Sequence, residues 1–200
     1  KTFLDYVQIS SESRSEKAFA ERVADDLRSL GLRVETDHAA EKAHANTGNI
    51  YAFLEGNPSF KPILFSAHLD TVPPGKNIRP VVEQGVIRSA GNTVLGADDK
   101  SGVAAIVEAL RLIVSQKIPH RPIEVAFTIS EEVGLLGAKY LDYTRFQSRQ
   151  AVVFDNEGDV GTIVNQAPGH MEISATITGK ASHAGVAPEE GISAILVAAD

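Results

Sequence analysis

The chain has 200 residues, 43% hydrophobic and 22% charged, with 19 basic and 26 acidic side chains for a net charge of −7. That balance is ordinary for a folded globular chain; it argues against disorder and against a basic face for nucleic acid. No cysteine is present, which excludes disulfides and sulfur-ligated metal but leaves sites of His, Asp and Glu open, and no apolar run approaches the ~20 residues of a membrane helix.

Ser13 and Glu16 stand at capping-box spacing, and Phe19, Val23, Leu27 and Leu30 then share one helical face, with Gly31 suited to the residue past its end. Residues 49–54 read as a strand, Gly56-Asn57-Pro58 as a turn and residues 62–67 as a buried strand. Val81-Val82 and Val86-Ile87 flank Gln84-Gly85 as a small hairpin. A helix follows from about Ser101, with Val103, Ile106, Val107, Leu110 and Val114 on its apolar face. Residues 123–129 and 151–154 are two more short apolar strands, with a helical piece at 137–141 between them. This alternation predicts an α/β fold, a layered mixed and largely parallel sheet flanked by helices.

The pattern changes around Pro168-Gly169. Met171, Ile173, Ala175 and Ile177 alternate with polar residues, as in a strand with one wet face. Pro188-Glu189-Glu190 then opens a helix through Ile192, Ile195, Leu196 and Ala199. Residues 1–167 therefore read as one domain and 168–200 as the start of a second, α+β one. The chain starts without Met, and its last helix meets Asp200 without a cap, so the expectation is the N-terminal part of a longer protein.

In open α/β sheets the ligand site lies beyond the carboxyl ends of the strands. After the strand ending at Ala67 come His68 and Asp70; after the one ending at Ile129 come Glu131 and Glu132; after the one ending at Phe154 comes Asp155; Asp98-Asp99 precedes the long helix. Each piece alone has a plainer reading as a solvated turn, a strand-end cap or acids at a helix N-terminus. Together they deliver one His and six carboxylates to one sheet edge, a cluster that repels itself unless cations neutralise it. Such donors without sulfur suit zinc, manganese or cobalt. At two-residue spacing on an extended segment, Asp70 can accept the second ring N–H of a ligating His68. Adjacent Glu131 and Glu132 would point in different directions, one to a metal and one free to move protons. The loop Gly91 to Gly96 is followed by Ala97-Asp98 rather than Lys-Ser/Thr, and acids there repel phosphate, so a nucleotide loop is rejected.

Five stretches, SAHLDTVPPG (66–75), LGADDKSGVA (95–104), ISEEVGLLGAK (129–139), FDNEG (154–158) and GKASHAGVAPEEG (179–191), resemble the peptidase T, carboxypeptidase G and aminoacylase superfamily of co-catalytic zinc hydrolases, and most of all its peptidase T branch. The resemblance implies that His68 and Asp155 bind one zinc, Glu132 the other, and that Asp98 bridges the two. It makes Glu131 the general base toward a bridging water, Asp70 the residue orienting His68, and His183 a lid-domain histidine stabilising the oxyanion. It also implies a cis peptide between Asp98 and Asp99. Two Zn2+ per full-length chain are expected, with Mn2+ or Co2+ as substitutes, the second zinc needing a further His that His38, His44, His120 and His170 do not match in context. By the same resemblance, residues 1–167 are the first part of a catalytic domain and 168–200 the start of a lid and dimerisation domain. The implied protein is a cytoplasmic homodimer, with no nucleic-acid or membrane partner, that releases N-terminal residues from short peptides. The alternatives are a metallo-carboxypeptidase or N-acyl amino acid amidohydrolase of the same superfamily, and a catalytically silent peptide-binding or scaffold relative. This piece alone is expected to be inactive.

Overall fold

The structure, a computed structural model, describes residues 1–156, 158–166, 169, 171 and 173–199. It divides into two compact units, Lys1–Gly158 and Asp159–Asp200. The boundary expected between residues 167 and 168 lies outside the described residues, as does His170.

In chain order the first unit comprises α1 (Thr2–Val7), α2 (Lys17–Ser29), β1 (Arg33–Thr36), α3 (Ala39–Ala43), β2 (Ile50–Leu54), β3 (Ile63–His68), β4 (Pro80–Glu83), β5 (Val86–Ser89), α4 (Ala97–Ser115), β6 (Ile123–Thr128), α5 (Leu136–Lys139) and β7 (Ala151–Val153). Five strands form one sheet in the order β1-β2-β6-β3-β7. β3 runs parallel to β6 and to β7, whereas β1–β2 and β2–β6 are antiparallel. Parallel neighbours need a crossover, and α4 supplies it between β3 and β6 while packing on β3 and α1. β6 is buried at every position, which accounts for a sequence that is almost continuously apolar rather than alternating. Its one charge, Glu124, accepts the N–H groups of Gln147 at 2.9 Å and Ser148 at 3.0 Å, so the burial leaves no orphan carboxylate. Phe19, Val23 and Leu27 of α2 share one core with Val103, Ile106, Val107 and Leu110 of α4 and with Ile123, Val125 and Phe127 of β6. β4 and β5 form the separate hairpin read from Gln84-Gly85, both residues taking positive φ in the turn.

The register positions the site. Ser66 pairs with Ala126 on one side and Val153 on the other, and His68 pairs with Thr128, so the carboxyl ends of β3, β6 and β7 finish level. Leu69 N–H donates to Thr128 O at 2.8 Å and Phe154 N–H to Ser66 O at 2.9 Å, which carries the alignment one step past the strands.

Several local expectations are corrected. The Ser13–Glu16 capping box does not form: α2 begins at Lys17 with no side-chain cap. The Ser13 hydroxyl donates instead to Asp70 Oδ2 at 2.7 Å, and the Glu16 carboxylate accepts from Arg14 and Ser130. The buried Asp70 carboxylate thus takes the Ser13 hydroxyl as a donor, and the buried Ser130 donors, with the nearby Arg14 N–H, occupy Glu16 in place of the helix's own N-terminus. α1, β1 and α3 are additions to the expected elements; each spans six residues or fewer, too short for periodicity to register. In the second unit no strand forms among the described residues of 171–177; a strand needs a partner for its backbone groups, and the pairing there is the Lys180–Ile192 bridge, with N–H···O distances of 3.0 and 2.9 Å. The helix expected from Pro188 is broken. A 3-10 turn at Pro188–Glu190 stops at Gly191, and α6 (Ala194–Ala199) starts afresh behind Ser193, whose hydroxyl accepts the Leu196 N–H at 3.3 Å. No described helix is long and apolar enough to cross a membrane.

Candidate active site

His68 ends β3 and is only 2% exposed. Its Nε2 lies 2.9 Å from Asp98 Oδ1, 3.9 Å from Asp155 Oδ1 and 4.0 Å from Glu131 Oε2. His68, Asp98 and Asp155 form one group with ligand atoms all within 4.8 Å of one another, and His68, Glu131 and Glu132 form a second. A hollow lined by Asp98, Asp99, Ser101, Phe154 and Asp155 opens beside them. Six of the seven residues given site roles by the resemblance (His68, Asp70, Asp98, Glu131, Glu132 and Asp155) therefore meet at one edge of the sheet. The seventh, His183, belongs to the second unit; its ring accepts the Gly185 N–H at 3.2 Å and its carbonyl the N–H of Val186 and Ala187, a local turn.

The backbone explains how each side chain arrives. Asp98 and Asp99 are joined by a cis peptide, as the resemblance implied. Asp98 faces the site while Asp99 is buried, accepting the Gly102 N–H at 3.0 Å and reaching the His68 N–H at 3.4 Å. Ser130 leaves β6 with φ +51°, and the chain turns at once, with Gly134 and Leu135 N–H both donating to Glu131 O. That turn replaces strand alternation, so Glu131 and Glu132 do not diverge as an extended segment would require; an oxygen of each belongs to the same group with His68.

Asp70 does more than face His68. Its Oδ1 stands 3.4 Å from His68 Nδ1, longer than a hydrogen bond, while its two oxygens accept the N–H groups of Glu131 at 2.8 Å and Glu132 at 3.1 Å and the Ser13 hydroxyl. Asn49, fully buried, spans the other side of the same loop: its Oδ1 accepts the Ile129 N–H at 3.0 Å and its Nδ2 donates to Gly137 O at 3.1 Å. Lys100 is also fully buried. Its ammonium donates to Ile9 O at 2.5 Å and lies 4.6 Å from the Phe19 ring centroid, with burial lowering it to about 8. From the sequence, Asp99 is only one of the converging carboxylates, Asn49 and Lys100 have no role, and Ser13 and Glu16 stand at a helix cap. An amide before a strand and an ammonium inside an apolar helix face carry no local signature of burial.

Electrostatics describe a site short of positive charge. Burial raises Glu131, Glu132 and Asp155 above the ordinary carboxylate range, and neighbouring acids add to it. Burial lifts Asp99 to about 7. Burial opposes a charged His68, but Asp70, Asp155 and Asp98 outweigh it and raise the imidazole to about 10. For Asp70, burial is overcome by His68, Ser13 and the Glu131 N–H, which hold it low. One imidazole among converging carboxylates, with no sulfur donor, fits a divalent cation of borderline hardness, which would supply the missing charge.

The cluster at these strand ends is a candidate metal centre, and comparison assigns the family. The model of Peptidase family M28 matches residues 49–169, more than half of the chain; the chain belongs to that family. It is 40% identical over 196 residues to the protein YqjE of Bacillus subtilis, covering 98% of this chain and 53% of that one. The structure is similar to that of an aminopeptidase PepT from Bacillus cereus, with TM-score 0.81 and 37% identity over 98% of this chain and 53% of that one. It is also similar to a tripeptidase from Staphylococcus aureus, with TM-score 0.84 and 35% identity over 99% of this chain and 53% of that one. These matches agree with the peptidase T resemblance of the five motifs. The chain spans about half the length of these relatives.

Proposed function

We propose that the full-length protein is a dinuclear zinc exopeptidase that releases N-terminal residues from short peptides. The observation that carries this reading is the convergence of His68, Asp98, Asp155, Glu131 and Glu132, more donors than one ion takes, at the level ends of β3, β6 and β7. The aminopeptidase and tripeptidase among the similar structures support the choice of substrate. His68 and Asp155 would hold one zinc, Glu132 the other, and Asp98, with its exposed carboxylate 2.9 Å from His68 Nε2, would reach both. The resemblance places a further His on the second zinc; His38 and His44 flank the short α3, His120 Nδ1 is engaged with Arg121 O at 2.7 Å, and His170 lies outside the described residues.

Metal ions bound there would acidify a water and polarise the scissile carbonyl. Glu131 is the proton carrier: it takes a proton from the attacking water and later delivers it to the leaving amine. Asp70 serves twice, steadying the His68 ring and holding the backbone of both glutamates. His183, in the second unit, would share the oxyanion charge. Homodimerisation through the second unit and a cytoplasmic location are part of the same reading.

The test is metal stoichiometry by mass spectrometry on dialysed full-length protein, followed by tripeptides with free and with acetylated amines. About two zinc ions per chain, with cleavage of the free-amine peptides alone, is the expected result. Preference for a free carboxylate or an N-acyl group would move the protein to the carboxypeptidase or amidohydrolase reading. No retained metal after zinc reloading would sink the enzyme reading in favour of a silent peptide-binding relative.

Asp70→Ala should weaken zinc by about 10- to 100-fold, as loss of a partner behind metal ligands does. Competition with a chelator measures it, and unchanged affinity would refute the role of Asp70.

A further inference from the structure

The loop carrying Glu131 and Glu132 is gripped by its backbone from residues distant in the chain. Three consecutive N–H groups at its start point at carboxylates: Ser130 at Glu16 Oε1 (3.0 Å), Glu131 at Asp70 Oδ1 (2.8 Å) and Glu132 at Asp70 Oδ2 (3.1 Å). The Ser130 hydroxyl adds a second bond to Glu16 Oε1 at 3.0 Å. Glu16 is fully buried. The segment that bears it is itself fastened beside the site: Thr71 N–H donates to Ser11 O at 3.0 Å, Ser13 N–H to Thr71 O at 3.3 Å, and Gly75 N–H to Glu12 Oε1 at 2.8 Å. Ser130 holds φ +51°, a conformation that a residue with a side chain keeps only where its surroundings impose it.

We propose that Glu16 is a positioning residue, whose carboxylate holds Ser130 in its left-handed conformation and thereby aims Glu131 and Glu132 at His68. The inference rests on the metallopeptidase reading of that site. Glu16 reaches no ligand atom; its Oε1 meets the loop through Ser130 and also accepts the N–H of Arg14, two residues before it, at 2.9 Å. The alternative use of its carboxylate, at the start of α2, is unfilled. Catalytic groups must be held within about 0.5 Å of their working geometry, so a loop released from this grip misplaces a proton carrier and a ligand together.

Two conservative variants separate aim from mere bulk. Glu16→Gln keeps an oxygen acceptor at the same reach; Glu16→Asp keeps the charge and withdraws it by one methylene. Full-length wild type and both variants are loaded with cobalt(II) as a spectroscopic probe and assayed on a tripeptide, and deuterium exchange is followed over residues 130–132. Glu16→Asp should lower kcat by about 10- to 100-fold, leave KM within about twofold, shift the visible cobalt band and speed exchange of the three amides. Glu16→Gln should stay within about threefold of wild type in kcat, with the cobalt band unchanged. The proposal is overturned if both variants match wild type in kcat and amide exchange, or if Gln is impaired as much as Asp. A wild type that takes up no cobalt and cleaves no peptide overturns the metallopeptidase reading and with it the catalytic meaning of the grip.

Discussion

Glu131→Ala in the full-length protein should lower kcat by about 10²- to 10⁴-fold, the range for loss of the proposed general base, while zinc content should stay at the wild-type level. Glu131 Oε2 and Asp155 Oδ1 stand at nearly equal distances from His68 Nε2, 4.0 and 3.9 Å, so metal content rather than spacing separates a proton carrier from a ligand. The substitution removes the side chain and spares the backbone, because the Glu131 N–H that Asp70 accepts survives in alanine. The loop therefore stays in place and Glu132 keeps its aim. Glu132→Ala is the companion measurement: there zinc content and turnover fall together. Mass spectrometry of the dialysed variants beside a peptide assay separates the two patterns. If Glu131→Ala loses metal in step with activity, the roles of the two glutamates are exchanged.

Gly102→Ala is the second large effect, and two opposing contributions decide its sign. Alanine in a helix interior is favoured over glycine by about 1 kcal/mol, so propensity alone predicts a more stable α4. The new Cβ, however, would press on Asp99 Oδ1 and sit 2.5 Å from Phe154 O. Overpacking of this kind costs about 1–3 kcal/mol, and the Phe154 carbonyl is backbone that cannot swing aside. Sterics wins. Relief must come from moving Asp99, which holds the Gly102 N–H and reaches the His68 N–H, or from moving the chain just before Asp155. Misplacement by about 1 Å costs on the order of 100-fold in rate, so kcat should fall by about that factor, with weaker zinc retention and a lower Tm. Gly91→Ala is the control, since nothing lies within 4 Å of its added methyl. Equal activity in the two variants would show that the close contact at Gly102 does not govern the site.

Much of the site was legible in the sequence for a reason that applies to open sheets in general. A charged residue directly after an apolar strand, or directly before a helix, lies at the edge where strand ends collect. His68, Asp98, Glu131 and Asp155 each occupy such a junction, and level registers of β3 with β6 and β7 do the rest. The Gln84-Gly85 hairpin was legible because a two-residue turn depends on its own φ angles and little else.

Ser13 and Glu16 mark the boundary of that legibility. Ser-x-x-Glu before an apolar run describes acceptors in search of N–H groups, and a helix N-terminus is the nearest supply. The chain instead brings Ser130, 114 residues away from Glu16, within 3.0 Å, and it is buried while the helix start has access to water. An unmet donor costs most where water is excluded, so the distant partner prevails. Asn49 follows the same rule, with Ile129 and Gly137 as partners 80 and 88 residues on. Glu131 and Glu132 converge because Ser130 turns the chain out of the strand, again a consequence of who holds its N–H.

What the sequence determined by itself was the alternation of strands and helices and the inventory of donors at their junctions, because periodicity, turn residues and apolar runs act over a few positions. The tertiary structure alone decided which buried N–H each carboxylate serves, and so which residues aim the donors. That assignment depends on distances between segments far apart in the chain and on the exclusion of water between them, and neither quantity is written in any local stretch of residues.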